Sequence, residues 1–410
     1  MISSHRTKNK NILLLDGGIS THLEKKLSDN TKEKKSPFSH RELWSSSLLL
    51  TSKGRQEILN AHLDFLTAGS DVISTVTYQL SHFLCEKHHE TSRPNNENTI
   101  TPWTEELVNW YLRIAFRIAT ESLLMYSSSQ ASSIRERYIL ASIGSYGGAL
   151  SDGSEYTGQY GDLTFEALKA FHQKRFDVFM NLNREVVSDT KNESNMDFTI
   201  GDTTISIDHL SHIPIIAFET IPCAFEVEAI LSLLKDYRND VGDSDSNDTK
   251  AKVWLCVSCR DGDLMNDGTP LNCILDTLNK FDPEYNLVQG IGVNCVALEF
   301  IEALVEKIAV NELNCGTNRT IILYPNSGEE WDSVNQQWRE DTGCTNPTEF
   351  ADVISKCISS VYKLCREHRR SQDACPLPLA VGGCCRTGPD TILALRNAID
   401  ENFQSKSSNQ

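Results

Sequence analysis

Eight short apolar runs, each followed by sequence of helical composition, set the strongest constraint on how this 410-residue chain can fold. They are 11–15, 71–78, 138–144, 213–218, 252–258, 288–293, 320–324 and 377–381. Runs this short, rich in Val, Ile and Leu, read as buried parallel strands, and helix-length segments between them supply the crossovers. Length alone permits two or three average domains. The unbroken alternation, with no second cluster of hairpins, instead predicts an α/β chain forming a single (β/α)8 TIM barrel over 11–402, with 1–10 and 403–410 as flexible termini. In such a barrel the chemistry belongs on the loops that follow the strands.

Polar tracts around 29–40, 89–101, 188–212 and 239–251 interrupt the alternation and read as loop insertions, which cost a barrel little. The acidic stretch Asp240–Asp248 has the composition of a disordered segment. Apolar residues at 39% and charged residues at 23% suit a globular core. A net charge of -17 with no basic cluster argues against a nucleic-acid partner. No apolar stretch is long enough for a membrane helix, and 1–10 lack a signal-peptide core. The odd total of 13 cysteines, spread through apolar segments, predicts reduced thiols and a cytoplasmic location.

The chemistry-bearing stretch is Val381-Gly382-Gly383-Cys384-Cys385-Arg386-Thr387-Gly388-Pro389, where a strand ends in two thiols and a helix start follows. Neighbouring strand residues face opposite ways, so Cys384 and Cys385 serve one site only if the backbone turns sharply. The glycine pair is expected to permit that turn. Cys295 ends the sixth strand, and only the seventh separates it from the eighth in a closed barrel. Three thiols from two strand ends match a catalytic zinc site, which keeps three protein ligands and one open position. Cys256 and Cys259 have C-x-x-C spacing, but no helix start sits at Cys259, so they read as packing thiols. Cys85, Cys223, Cys273, Cys315, Cys344, Cys357, Cys365 and Cys375 offer no comparable arrangement.

Asp16-Gly17-Gly18, Phe218-Glu219-Thr220, Gly292-Val293-Asn294-Cys295 and Gly382-Gly383-Cys384-Cys385 together resemble the homocysteine S-methyltransferase family over about 11–400. The strings Asp152–Gly158 and Tyr324–Glu329 resemble its branch using S-methylmethionine or S-adenosylmethionine rather than betaine. The resemblance implies a zinc-bound homocysteine thiolate that attacks the methyl group of a sulfonium donor. It also implies that Asp16 and Glu219 hold the homocysteine amino group, that Gly17 and Gly18 let backbone amides approach its carboxylate, and that Asn294 orients the site. The loop Asp152–Tyr160 becomes a donor-site candidate. From the residues alone, Asp16 also reads as a turn acid, Glu219 as a rim salt-bridge partner and Asn294 as a structural amide. The rival functional reading is a non-catalytic zinc- or thiol-binding regulatory barrel. A cobalamin-dependent methionine synthase would need further domains.

Overall fold

A computed structural model describes residues 12–29, 38, 42–85, 103–129, 135–182, 198–200, 203–205, 214–241, 251–329, 331–332, 337–339, 342–369 and 376–404. Eight parallel strands form one sheet: β1 (Ile12–Leu14), β2 (Val72–Ser74), β3 (Tyr138–Gly144), β4 (Ile215–Ile221), β5 (Lys252–Val257), β6 (Gly290–Asn294), β7 (Thr320–Tyr324) and β8 (Leu379–Val381). The order is sequential from β2 to β8, and β8 then pairs with β1. A parallel bridge from Leu15 to Val72 joins the remaining edges, with Asp71 N–H donating to Leu14 O at 2.7 Å. The sheet is a closed (β/α)8 barrel, as the alternation predicts.

Side-chain alternation along the strands sorts the core into two shells. Leu140, Ile215, Ala217, Trp254, Cys256, Ile322 and Ala380 fill the barrel interior, while Ile216, Phe218, Val253, Leu255, Ile321 and Leu323 pack outward beneath the helices. Trp254 fits inside because β6 carries Gly290 beside it; a Cβ there would lie 2.5 Å from the indole. The same period-two pattern turns Glu219 and Tyr324 inward at the C-terminal mouth, two residues beyond Ala217 and Ile322.

Several boundaries differ from the sequence reading for local reasons. Strand β2 stops at Ser74 rather than Tyr78, because the Ser74 amide donates to the Asp16 carboxylate at 2.7 Å instead of extending the ladder. The first crossover is not one continuous helix: a 3-10 segment, Trp44–Leu50, is followed by a helix, Ser52–Thr67, started afresh by Thr51, whose hydroxyl accepts the Gly54 amide. The polar stretch after Gly18 begins with a helix, Ile19–Asp29, here α1. Strand β4 runs past Glu219 to Ile221.

Within the 188–212 insertion, Phe198–Ile200 and Thr203–Ile205 form an antiparallel ribbon, tied to the barrel by Arg55 donating to Thr199 O. The 89–101 insertion, most of 29–40 and 239–251, the acidic tract beyond Val241, Cys375, residues 1–10 and residues 405–410 lie outside the described residues. Among those described, no helix is long and apolar enough to cross a membrane.

Candidate active site

The three predicted thiols converge. The sulfurs of Cys295, Cys384 and Cys385 all lie within 4.8 Å of one another, and Cys295 Sγ is 3.9 Å from Cys385 Sγ. They reach one point because both ligand-bearing segments leave the β conformation at once: Cys295 has φ 52° and Arg386 has φ 66°. Thr387 locks the second turn, its amide and hydroxyl both donating to Cys384 O. Here the structure corrects the expected role of the glycine pair, since neither Gly382 nor Gly383 takes a positive φ. Their requirement is steric: a Cβ on Gly383 would lie 2.2 Å from the Thr387 hydroxyl, and one on Gly382 2.7 Å from Leu15 Cβ.

This donor set fits a tetrahedral cation. Metal–sulfur bonds of about 2.3 Å place neighbouring sulfurs roughly 3.8 Å apart, close to the separation of Cys295 and Cys385. Among the described residues three thiols converge, and all three border a cavity, so a metal held by them would keep a position open to a ligand. The Cys385 thiol is held well below its ordinary range by hydrogen bonds from Cys295 and Cys384, helped by the neighbouring Arg386 charge. Cys384 is pushed up by the same sharing with Cys295 and Cys385.

Two inward carboxylates stand at the same cavity, which with its solvent-open mouth has about 890 Å3 of empty space. Asp16 follows β1 and is 3% exposed. Its oxygens accept from the Ser74 amide at 2.7 Å and the Ser74 hydroxyl at 2.8 Å. Burial pushes its carboxyl up to about 7 against those hydrogen bonds, and the Glu219 charge adds to the rise. Glu219 accepts from the Ser142 hydroxyl and, at 2.9 Å, from Tyr324 OH; burial raises its pKa despite both.

Asn294 also lines the cavity, but its amide is engaged with Thr220, accepting from the backbone N–H and donating to the hydroxyl. Thr220 has φ 59°, and the pairing of β4 with β5 shifts register between Phe218 and Ile221. Asn294 therefore pins the irregularity beside Glu219. The Gly18 amide donates to Thr387 O at 2.9 Å, and a Cβ on Gly18 would lie 2.4 Å from Cys384 O. A Cβ on Gly17 would lie 2.3 Å from Thr387 O. Both glycines allow the β1 loop to press against the thiol-bearing turn.

Sequence reasoning missed Ser74, Ser142 and the hydroxyl of Tyr324, because a lone Ser or Tyr at a strand end carries no motif. It also missed the first turn of α1, whose Ile19, Ser20 and Thr21 border the cavity. A polar run after Gly-Gly concealed that helix; the left-over signal was the Ile19–Leu23–Leu27 spacing. From the loop 152–160, Glu155 and Tyr156 line the cavity, and Glu155 Oε2 is buried with no hydrogen-bond partner. Tyr78, Gln79 and Trp44 also line the cavity.

Cys256 and Cys259 are buried packing thiols, as the lack of a helix start at Cys259 suggests. Cys256 sits inside the barrel and Cys259 in the outer shell, and burial pushes Cys259 up to about 12.

Comparison with known proteins agrees with this geometry. A family model described as homocysteine S-methyltransferase matches residues 13–399. Homocysteine S-methyltransferase 2 of Arabidopsis thaliana is 30% identical over 396 residues, covering 94% of this chain and 92% of that protein. Selenocysteine Se-methyltransferase of Brassica oleracea var. italica is 32% identical over 397 residues, covering 94% and 88%. The crystal structure of the homocysteine methyltransferase MmuM from Escherichia coli, oxidized form, shares the fold at a TM-score of 0.63 and 23% identity, covering 95% of this chain and 96% of that one. Its metallated form gives a TM-score of 0.62 at the same identity and coverage. With a matching family model over nearly its whole length, the chain belongs to the homocysteine S-methyltransferase family and is a methyltransferase.

Proposed function

We propose that the chain transfers a methyl group from a sulfonium donor, S-methylmethionine or S-adenosylmethionine, to the thiol of L-homocysteine, giving methionine in the cytoplasm, with one zinc ion held by Cys295, Cys384 and Cys385. The observation that carries this reading is the convergence of three thiols with two inward carboxylates at one cavity. Bound there, zinc would keep the acceptor sulfur ionised at neutral pH, where a free thiol of pKa ~8.5 is mostly protonated.

The chain's own residues account for binding and alignment. Asp16 and Glu219 receive the substrate ammonium, which returns a charge partner to two carboxyls that burial has pushed up. Because the Gly18 amide already serves Thr387, the substrate carboxylate falls to the free N–H groups of the first turn of α1, at the positive end of that helix. The donor is a cation, and Glu155 Oε2 supplies an unpartnered buried acceptor on the loop side of the cavity. In the transfer, a lone pair on the acceptor sulfur forms the new S–CH3 bond. The old C–S pair returns to the donor sulfur, which leaves as a neutral thioether, so no general acid is needed and the rate rests on alignment.

The two buried carboxylates disfavour the non-catalytic rival, since a metal store has no use for ammonium recognition. The selenocysteine-acting relative makes a selenol a second acceptor worth assaying. The test is product formation from homocysteine or selenocysteine with each sulfonium in turn. Methionine from homocysteine supports the reading; no product from homocysteine with either donor overturns it.

A further inference from the structure

The segment Tyr324–Glu329, which follows β7, lies between the two thiol-bearing turns and hydrogen-bonds to both. On one side Tyr324 O accepts the Cys295 amide at 3.3 Å and the Asn326 amide donates to Val296 O at 3.0 Å. On the other side Pro325 O accepts the Cys384 amide at 2.7 Å and the Ser327 amide donates to Cys385 O at 3.0 Å. Beyond these backbone bonds the segment is fastened by an ion pair. Arg386 Nη2 donates to Glu329 Oε1 at 2.7 Å, and Arg386 Nε lies 3.1 Å from both carboxylate oxygens. The Glu329 side chain is 8% exposed, and its Oε2 also accepts from the Ser327 hydroxyl. Arg386 is the residue with φ 66°, a left-handed conformation that is strained for a non-glycine residue. The Thr21 hydroxyl accepts its amide at 2.9 Å. A fork-on-carboxylate pair at a strained residue next to Cys385 constrains the side of the turn that no strand holds.

We propose that Glu329 and Arg386 are positioning residues that brace the two turns, setting the spacing of the three thiols before a metal enters. This rests on the zinc reading above. Neither residue touches substrate; their effect is on metal affinity, exerted through the backbone of Cys384 and Cys385.

The test is zinc affinity of the full chain, by competition with a chromogenic chelator, for the unmodified protein and for Glu329→Gln, Arg386→Lys, Arg386→Gly and Cys384→Ser. Glu329→Gln, Arg386→Lys and Arg386→Gly are each expected to bind zinc about 10–100-fold more weakly, with KM for homocysteine at saturating zinc within about twofold of the unmodified value. Arg386→Gly is informative because it relieves the backbone strain while removing the ion pair. Affinity within about twofold of the unmodified protein in Glu329→Gln and Arg386→Lys overturns the brace. Circular dichroism checks the fold of each variant; if Glu329→Gln unfolds, Arg386→Lys, which keeps the charge, decides. Zinc binding that is absent in the unmodified protein, or unchanged in Cys384→Ser, sinks the metal reading instead. Thiol-dependent binding that ignores Glu329 and Arg386 sinks the brace alone.

Discussion

Asn294 on β6 grips Thr220 on β4 through both atoms of its side-chain amide: Oδ1 accepts the Thr220 N–H at 2.7 Å, and Nδ2 donates to the Thr220 hydroxyl at 2.8 Å. The Thr220 backbone is left-handed, and the residue before it is Glu219. The amide thus fixes the aim of a carboxylate it does not touch. Asn294→Ala leaves a buried N–H without its acceptor, an effect of about 1–3 kcal/mol on stability. Steady-state kinetics are expected to show KM for homocysteine raised about tenfold, with a smaller change in kcat. A thermal melt checks the stability loss.

The buried carboxyl of Asp16 sets a pH dependence. With its pKa near 7, it is mostly protonated at pH 6 in the free protein. In the proposed role of Asp16 the substrate ammonium binds the ionised form, so homocysteine binding expels that proton. KM for homocysteine therefore falls as pH rises from about 6 to 8, and calorimetry in buffers of different ionisation enthalpy detects the released proton at the lower end. Stability moves the opposite way. The carboxyl titrates near 3.8 when unfolded and about 7 when folded, so between those values the folded state holds the extra proton and stability declines as pH rises. Asp16→Asn removes that decline, worth up to ~4 kcal/mol, and abolishes the KM trend.

Tyr324 and Ser142 donate the hydrogen bonds that oppose burial at Glu219. Tyr324→Phe keeps the ring inside the barrel and removes one donor, so the Glu219 pKa rises further. The acid limb of the pH profile of kcat/KM shifts to higher pH, and kcat/KM for homocysteine at neutral pH falls about ten- to a hundredfold. A profile that keeps the wild-type shape contradicts this role.

Gly18 is required by its neighbour rather than by its own dihedral angles. The Cβ of alanine would sit 2.4 Å from Cys384 O and 2.6 Å from the Thr21 hydroxyl. Gly18→Ala must push the β1 loop and the thiol-bearing turn apart, destabilising by about 1–3 kcal/mol. Zinc affinity is expected to fall in parallel, which a chelator competition measures.

The barrel and the thiols were legible in the sequence because each leaves a one-dimensional trace. Eight apolar runs give the strand count, and Gly-Gly-Cys-Cys with Asn294-Cys295 marks two strand ends. What stayed hidden depends on contacts across the barrel mouth. Nothing local tells that Ser74 will donate to Asp16 from a different strand, that Asn294 will reach Thr220, or that Gly18 must be small because Cys384 O approaches it. The turn at Cys385–Arg386 shows the same limit: the glycines drew attention, while the left-handed residue is an arginine secured by Glu329. α1 was hidden for another reason, since its polar, lysine-rich face outweighed a sparse apolar stripe.

Zinc-edge X-ray absorption on the zinc-loaded chain, before and after addition of homocysteine, tests the role of the three thiols most directly. Three sulfur neighbours are predicted without substrate and four with it, the fourth being the homocysteine sulfur. A sulfur count that stays the same on adding homocysteine, or that is unaltered by Cys384→Ser with Cys385→Ser, would contradict a thiol-held metal that activates the acceptor.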